Sequence, residues 1–140
     1  MTLVLDAGPL VASADIGAPQ RLAVQRSLRD EPGPLVLPDP VSAEVGYLLG
    51  RRVGEGARRA FLDDLAAGRF DVECLERLDY ARIVVLDSQY EGLSFGLADL
   101  SVVVIAARLR CTRIMTFDER HFRAIRPLYG GAFTLLPADA

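Results

Sequence analysis

The stretch TLVLDAGP, residues 2–9, decides how the rest of the chain is read. Thr2 to Leu5 is an aliphatic run with no polar alternation, the pattern of a strand buried on both faces. It stops at Asp6, and Gly8-Pro9 is expected to turn the chain. A strand covered on both faces belongs to a parallel sheet, whose neighbours are joined by crossover helices. The remaining sequence should therefore alternate short apolar runs with helical patterns.

It does. Ala18 to Arg29 predicts a helix with Leu22 and Leu28 inside and Arg21, Arg26 and Arg29 outside. Pro32-Gly33-Pro34 ends it, and Leu35-Val36-Leu37 is a second buried strand. Asp39-Pro40 opens a helix, with Asp at the cap and Pro at the first helical position, running to about Arg52. Gly54 to Ala67 predicts another helix, Phe70 to Leu75 a third strand, and Asp79 to Tyr90 a further helix. Gly92 and Gly96 punctuate before a helix from about Leu97 to Arg110. Arg113 to Phe117 is a fourth strand and Ala132 to Leu136 a short fifth. The expected class is α/β, with a central parallel sheet of four to five strands covered on both faces. With 140 residues, 51% of them hydrophobic, and no repeat or linker, residues 1–140 are expected to form one domain.

The individual counts exclude several chemistries. All 16 basic residues are Arg, and there is no Lys, Asn or Trp. Without Lys there is no P-loop lysine, no Schiff base and no receiver-type lysine beside an acidic pocket. Lys and Asn are both read from A-rich codons, so their absence reflects an A/T-poor genome, and the Arg count is not evidence of nucleic-acid binding. Net charge is −3 and the pI about 5.1. Cys74 and Cys111 stand far apart without a CxxC or a neighbouring His, which disfavours zinc and gives no disulfide framework. Ala12-Ser13-Ala14 imitates a signal-peptidase site, but no basic side chain precedes it and Asp6 interrupts the stretch. The longest apolar run, Val102 to Ala107, is too short to span a bilayer, so no membrane role and a cytoplasmic location are expected.

Four of the 19 acids stand just past a strand or near a helix start. In an open α/β sheet those positions converge on the crevice at the carboxyl ends of the strands. Asp6 ends the first strand; alone, a turn residue would explain it. Glu44 falls on the stripe Val41, Val45, Leu48, read as the buried face, where a carboxylate needs a partner. Asp99 opens the most apolar helix of the chain, with helix capping as the plain alternative. Asp118 follows the fourth strand and can equally cap a short helix. Together, the four favour a shared site. Crowded carboxylates repel unless a cation screens them, and hard oxygen ligands suit Mg²⁺ or Mn²⁺. Such ions activate water and polarise a phosphoryl group, so phosphodiester hydrolysis fits.

Residues 5–12, LDAGPLVA, then Glu44, then GLADLS at 96–101 and TFDERHF at 116–122 resemble the PIN-domain ribonucleases, in their short form the VapC toxins of toxin–antitoxin pairs. The likeness spans essentially the whole chain. It implies a PIN-like α/β/α sandwich and Mg²⁺- or Mn²⁺-dependent endonucleolytic cleavage of RNA, with Asp6, Glu44, Asp99 and Asp118 as catalytic and metal-binding acids. It implies a VapB-type antitoxin and a homodimer as partners. Many members carry Ser or Thr two residues after the first acid, where this chain has Gly8. Ser101 and Thr116 are the hydroxyls expected behind the acids, with ordinary helix and strand roles as the alternative.

Arg51, Arg52, Arg58 and Arg59 cluster about the Val53-Gly54 turn, and Arg120 stands beside Asp118. These five are candidate RNA contacts, against a solvated helix face. His121 beside Phe122 reads as a structural residue. Tyr47, Leu48, Leu49, Phe61, Leu62 and Leu65 are expected first to pack the core, and second to form a homodimer seam or an antitoxin groove. The competing functions are a flavodoxin-like signalling module with an acidic pocket and a PIN fold that has lost catalysis. The absent Lys and the extra Glu44 and Asp118 weigh against the first, the intact acids against the second.

Overall fold

A computed structural model describes residues 1–140. In chain order the elements are β1 (Leu3–Leu5), α1 (Ala7–Ala14), α2 (Arg21–Asp30), β2 (Leu35–Pro38), α3 (Asp39–Arg52) and α4 (Glu55–Ala66). They continue with β3 (Asp71–Glu73), α5 (Arg77–Gln89), α6 (Leu97–Arg108), β4 (Arg113–Met115), α7 (Glu119–Ala124) and β5 (Thr134–Leu136).

The five strands form one sheet in the order β3-β2-β1-β4-β5, and every pair is parallel. β1 is central: Leu3 and Val4 pair with Leu35 and Val36 of β2, while Val4 and Leu5 pair with Ile114 and Met115 of β4. All three β1 residues are fully buried, as an apolar run without alternation requires. The chain grows outward from β1 to β3, then returns to the other side of β1 for β4 and β5. Right-handed crossovers in opposite directions place helices on both faces and open a crevice between the ends of β1 and β4. α6 lies across β1 and β2 and packs on α3 and α5, buried continuously from Leu100 to Ala107.

Several local expectations differ. Gly8-Pro9 does not turn the chain; it lies in the first turn of α1, where a missing N–H costs nothing because those amides lack helical acceptors. α2 begins at Arg21 and is anchored by the fully buried Val24, whereas Leu22, expected inside, is 66% exposed. Asp39 is the first residue of α3, not its cap, and Pro38 precedes it. The buried stripe of α3 is Val41, Val45 and Leu49. β3 is not apolar throughout: as an edge strand paired only with β2, it leaves Asp71 and Val72 exposed. Of the α3–α4 apolar residues, Leu49 and Phe61 are buried and Leu48 and Leu65 pack against the core, but Tyr47 and Leu62 stay exposed. No helix is long and apolar enough to cross a membrane.

Candidate metal and active site at the switch point

Asp6 lies directly past β1, at the crevice. Its backbone N–H donates to the Met115 carbonyl at 2.9 Å, which extends the β1–β4 ladder by one bond and fixes the residue in place. The residue is 8% exposed. The hydroxyl of Thr116, itself buried, donates to Asp6 Oδ2 at 2.7 Å, and the same Oγ1 accepts the Asp118 N–H at 3.0 Å. Burial pushes the Asp6 carboxyl up to about 6, against the Thr116 hydroxyl and the Ala7 amide, with the charges of Asp99 and Glu44 adding to the rise. Gly8 offers no hydroxyl to Asp6. A Cβ at position 8 would stand 3.3 Å from Phe117 Cδ2, and the hydroxyl on Asp6 is that of Thr116.

Asp99 is the third residue of α6 and half-buried. Its Oδ2 accepts the Gly96 N–H at 3.0 Å, so the capping account is realised, yet its charge also acts on both Asp6 and Glu44. Glu44 is not on the buried face of α3. It is exposed, on the flank that looks toward Asp99. Partial desolvation and the Asp99 charge still raise its pKa, and Arg52 opposes them. Asp6, Glu44 and Asp99 thus come within electrostatic reach of one another without closing into a three-ligand cage.

Asp118 is placed differently. As the cap of α7 its Oδ1 accepts the His121 N–H at 3.1 Å, while Oδ2 meets His121 Nδ1 at 2.5 Å. Those contacts raise the His121 pKa, led by the hydrogen bond its ring donates to Asp118. The imidazole packs at 4.9 Å on the Phe95 ring. This partnership was missed in the sequence, although an acid at a helix cap with His three residues on is its visible signal. Ser101 is fully buried and donates to the Ala98 carbonyl at 2.6 Å, a bond within its own helix. Of the candidate arginines, Arg58 is ion-paired with Glu55 at 2.8 Å. Arg51, Arg52, Arg59 and Arg120 are exposed and take part in no ion pair.

The donor set suits a hard divalent cation. Three carboxylates stand within electrostatic reach of one another, one of them held out of water, and no arginine is ion-paired to Asp6, Glu44 or Asp99.

Known proteins share the fold and part of the sequence. Residues 3–127 match the PIN domain. The chain is 34% identical over 135 residues to Ribonuclease VapC26 of Mycobacterium tuberculosis, covering 96% of this chain and all of that one. Its fold is similar to the crystal structure of Mycobacterium tuberculosis VapC20, described as a sarcin–ricin loop cleaving toxin, with a TM-score of 0.74 at 15% identity, covering 80% of this chain and 86% of that one. It is also similar to VapBC2 from Rickettsia felis, solved bound to a promoter DNA fragment, with a TM-score of 0.68 at 16% identity, covering 96% and 98% of the two chains. The domain match, the full-length relative and the acids at the β1–β4 switch point together show that this chain belongs to the PIN-domain family, among its VapC-type members.

Proposed function

We propose that the chain is an Mg²⁺- or Mn²⁺-dependent endoribonuclease toxin, held in check by a VapB-type antitoxin. The observation that carries this is Asp6: a buried carboxylate at a topological switch point, flanked by Asp99 and Glu44 and neutralised by no side chain. The ribonuclease name of the full-length relative supports the activity, and the likeness to a toxin–antitoxin pair supports the partner.

Asp6, Glu44 and Asp99 would hold the cation, which when bound supplies Lewis acidity toward water and the phosphoryl oxygens. In the reaction water adds to phosphorus, the bond to the 3′-oxygen breaks, and the fragments carry a 5′-phosphate and a 3′-hydroxyl. The chain's own part is to orient. Thr116 fixes Asp6 through Oδ2, and the Gly96 amide fixes Asp99 through Oδ2. The exposed Arg51, Arg52, Arg59 and Arg120 would receive phosphates of the RNA backbone, and Arg52 stands near enough to act on Glu44. Arg58, engaged by Glu55, is less free for that role.

The test is incubation of purified protein with total cellular RNA, with Mg²⁺ or with chelator, beside Asp6→Asn. Discrete fragments that need the metal and vanish in the variant are expected, with Arg52→Ala cleaving more slowly than wild type. Equal cleavage by wild type and Asp6→Asn would mean a contaminating nuclease and overturn the proposal. Expression of the chain alone should also arrest growth, and Asp6→Asn should not.

A further inference from the structure

Asp118 and Asp99 reach the crevice on different segments: Asp118 from the turn after β4, Asp99 behind the loop that joins α5 to α6. His121 connects the two. Its Nδ1 and its backbone N–H take up both oxygens of Asp118. The same ring packs at 4.9 Å on Phe95, in the α5–α6 loop. Phe95 is in turn wedged between Tyr90 at 6.2 Å and Phe122 at 6.4 Å, and Tyr90 Oη accepts the Arg126 N–H. The loop ends at Gly96, whose amide is bonded to Asp99. On the other side the Asp118 N–H reaches Thr116, whose hydroxyl holds Asp6. One continuous path therefore runs from Asp6 through Thr116, Asp118 and His121 to the loop and Asp99.

We propose that His121 is a positioning residue: with Asp118 it forms a latch that sets the α5–α6 loop, and with it Asp99, against Asp6, so that Asp118 serves His121 and not the cation directly. A carboxylate with both oxygens already committed is poorly placed to ligate, whereas groups that orient the ligands of a metal set its affinity. The inference rests on the metal-dependent reading above, and it departs from the expectation that Asp118 is itself a ligand.

The experiment measures Mn²⁺ binding to the purified chain by titration calorimetry, for wild type, His121→Phe, Asp118→Asn and the double variant. Phe keeps a ring against Phe95 and the backbone bond to Asp118 but removes the imidazole bond, while Asn still accepts the α7 cap bond, so the two variants cut the latch from opposite sides. Each should weaken Mn²⁺ about tenfold. The double variant should weaken it no further than either single one, because the pair acts as a unit. At saturating Mn²⁺ the cleavage rate of His121→Phe should return to the wild-type value. A His121→Phe variant that binds Mn²⁺ as wild type does overturns the latch and leaves the metal-dependent reading standing. A much larger loss in Asp118→Asn, additive with His121→Phe, also overturns it and makes Asp118 a ligand. Wild type that binds no Mn²⁺ overturns the metal-dependent reading, and the latch with it.

Discussion

Asp6 carries a carboxylate that the fold keeps almost out of water, and its pKa of about 6 against an ordinary 3.8 has a consequence for stability. Between those values the folded chain retains a proton that the unfolded chain has released. The ionised group therefore opposes folding: the penalty is absent below the unfolded pKa, grows as pH rises through the window, and is complete above about 6. Its full size is on the order of 2–3 kcal/mol. Asp6→Asn should raise the melting temperature near neutral pH in chelator and flatten its change across that window, while Mn²⁺ should stabilise wild type and not the variant. Thermal melts across pH read all three, and identical curves for the two proteins would refute the account. Asp6 was legible because the aliphatic run before it fixes where the strand ends, and with it the crevice at which the carboxylate must sit. Glu44 was placed correctly in sequence but on the wrong face, because the helical stripe through Val41 and Val45 continues to Leu49 and not Leu48. His121 was not legible as a partner, since its Phe95 contact comes from a loop that no periodicity describes.

Among the elements, α2 and β4 are joined by one ion pair at the edge away from the site. Glu31, the residue after α2, has a side chain only 1% exposed, and its two oxygens meet Arg113 at 2.9 and 2.7 Å, with the Gly33 N–H donating at 3.3 Å. The Arg113 hydrogen bonds, more than its charge, hold the Glu31 carboxyl below its ordinary 4.5, although burial pulls the other way. A lowered folded pKa gives stability that is present above the unfolded value and lost as pH falls through the folded one. Glu31→Gln should cost about 2–3 kcal/mol near neutral pH, less than a fully buried pair because Arg113 stays partly exposed. That deficit should shrink toward zero in acid. Denaturant melts at neutral and acid pH decide it, and a deficit that does not change with pH would reject the ionic account. Elements were legible where one signal dominated, as in α6, whose apolar run from Leu100 buries completely. α1 was missed because Gly8-Pro9 is the dipeptide of a turn and also an acceptable helix start. Only the carbonyl-end context after β1 separates the two.

At the scale of the molecule, alternation of strands and helices announced a parallel sheet, but the order β3-β2-β1-β4-β5 is a pairing outcome that no local run encodes. That order is what brings the end of β4 beside Asp6 and turns scattered acids into one crevice. Without the four site acids the net charge of −3 becomes +1, so the low pI is partly a property of the site and does not argue against an RNA substrate. The apolar residues left outside are concentrated on one element. α5 buries Ile83 and Leu86, yet Leu78, Val84 and Val85 on its outer side are 62%, 69% and 63% exposed. Beside them Ala81, Val85 and Leu128 line a shallow hollow of about 280 Å³. An apolar patch on the outer side of a helix is stable when something covers it, and a second copy turned about a two-fold axis presents the same surface. If the chain pairs as the expected homodimer, this face is a candidate seam beside the exposed Tyr47 and Leu62 of α3 and α4. Val85→Glu changes an exposed side chain of the single chain and should leave its fold intact. Sedimentation should find wild type at twice the 15.2 kDa chain mass and Val85→Glu at that mass. Wild type sedimenting as one chain, or the variant remaining paired, would remove α5 as the seam.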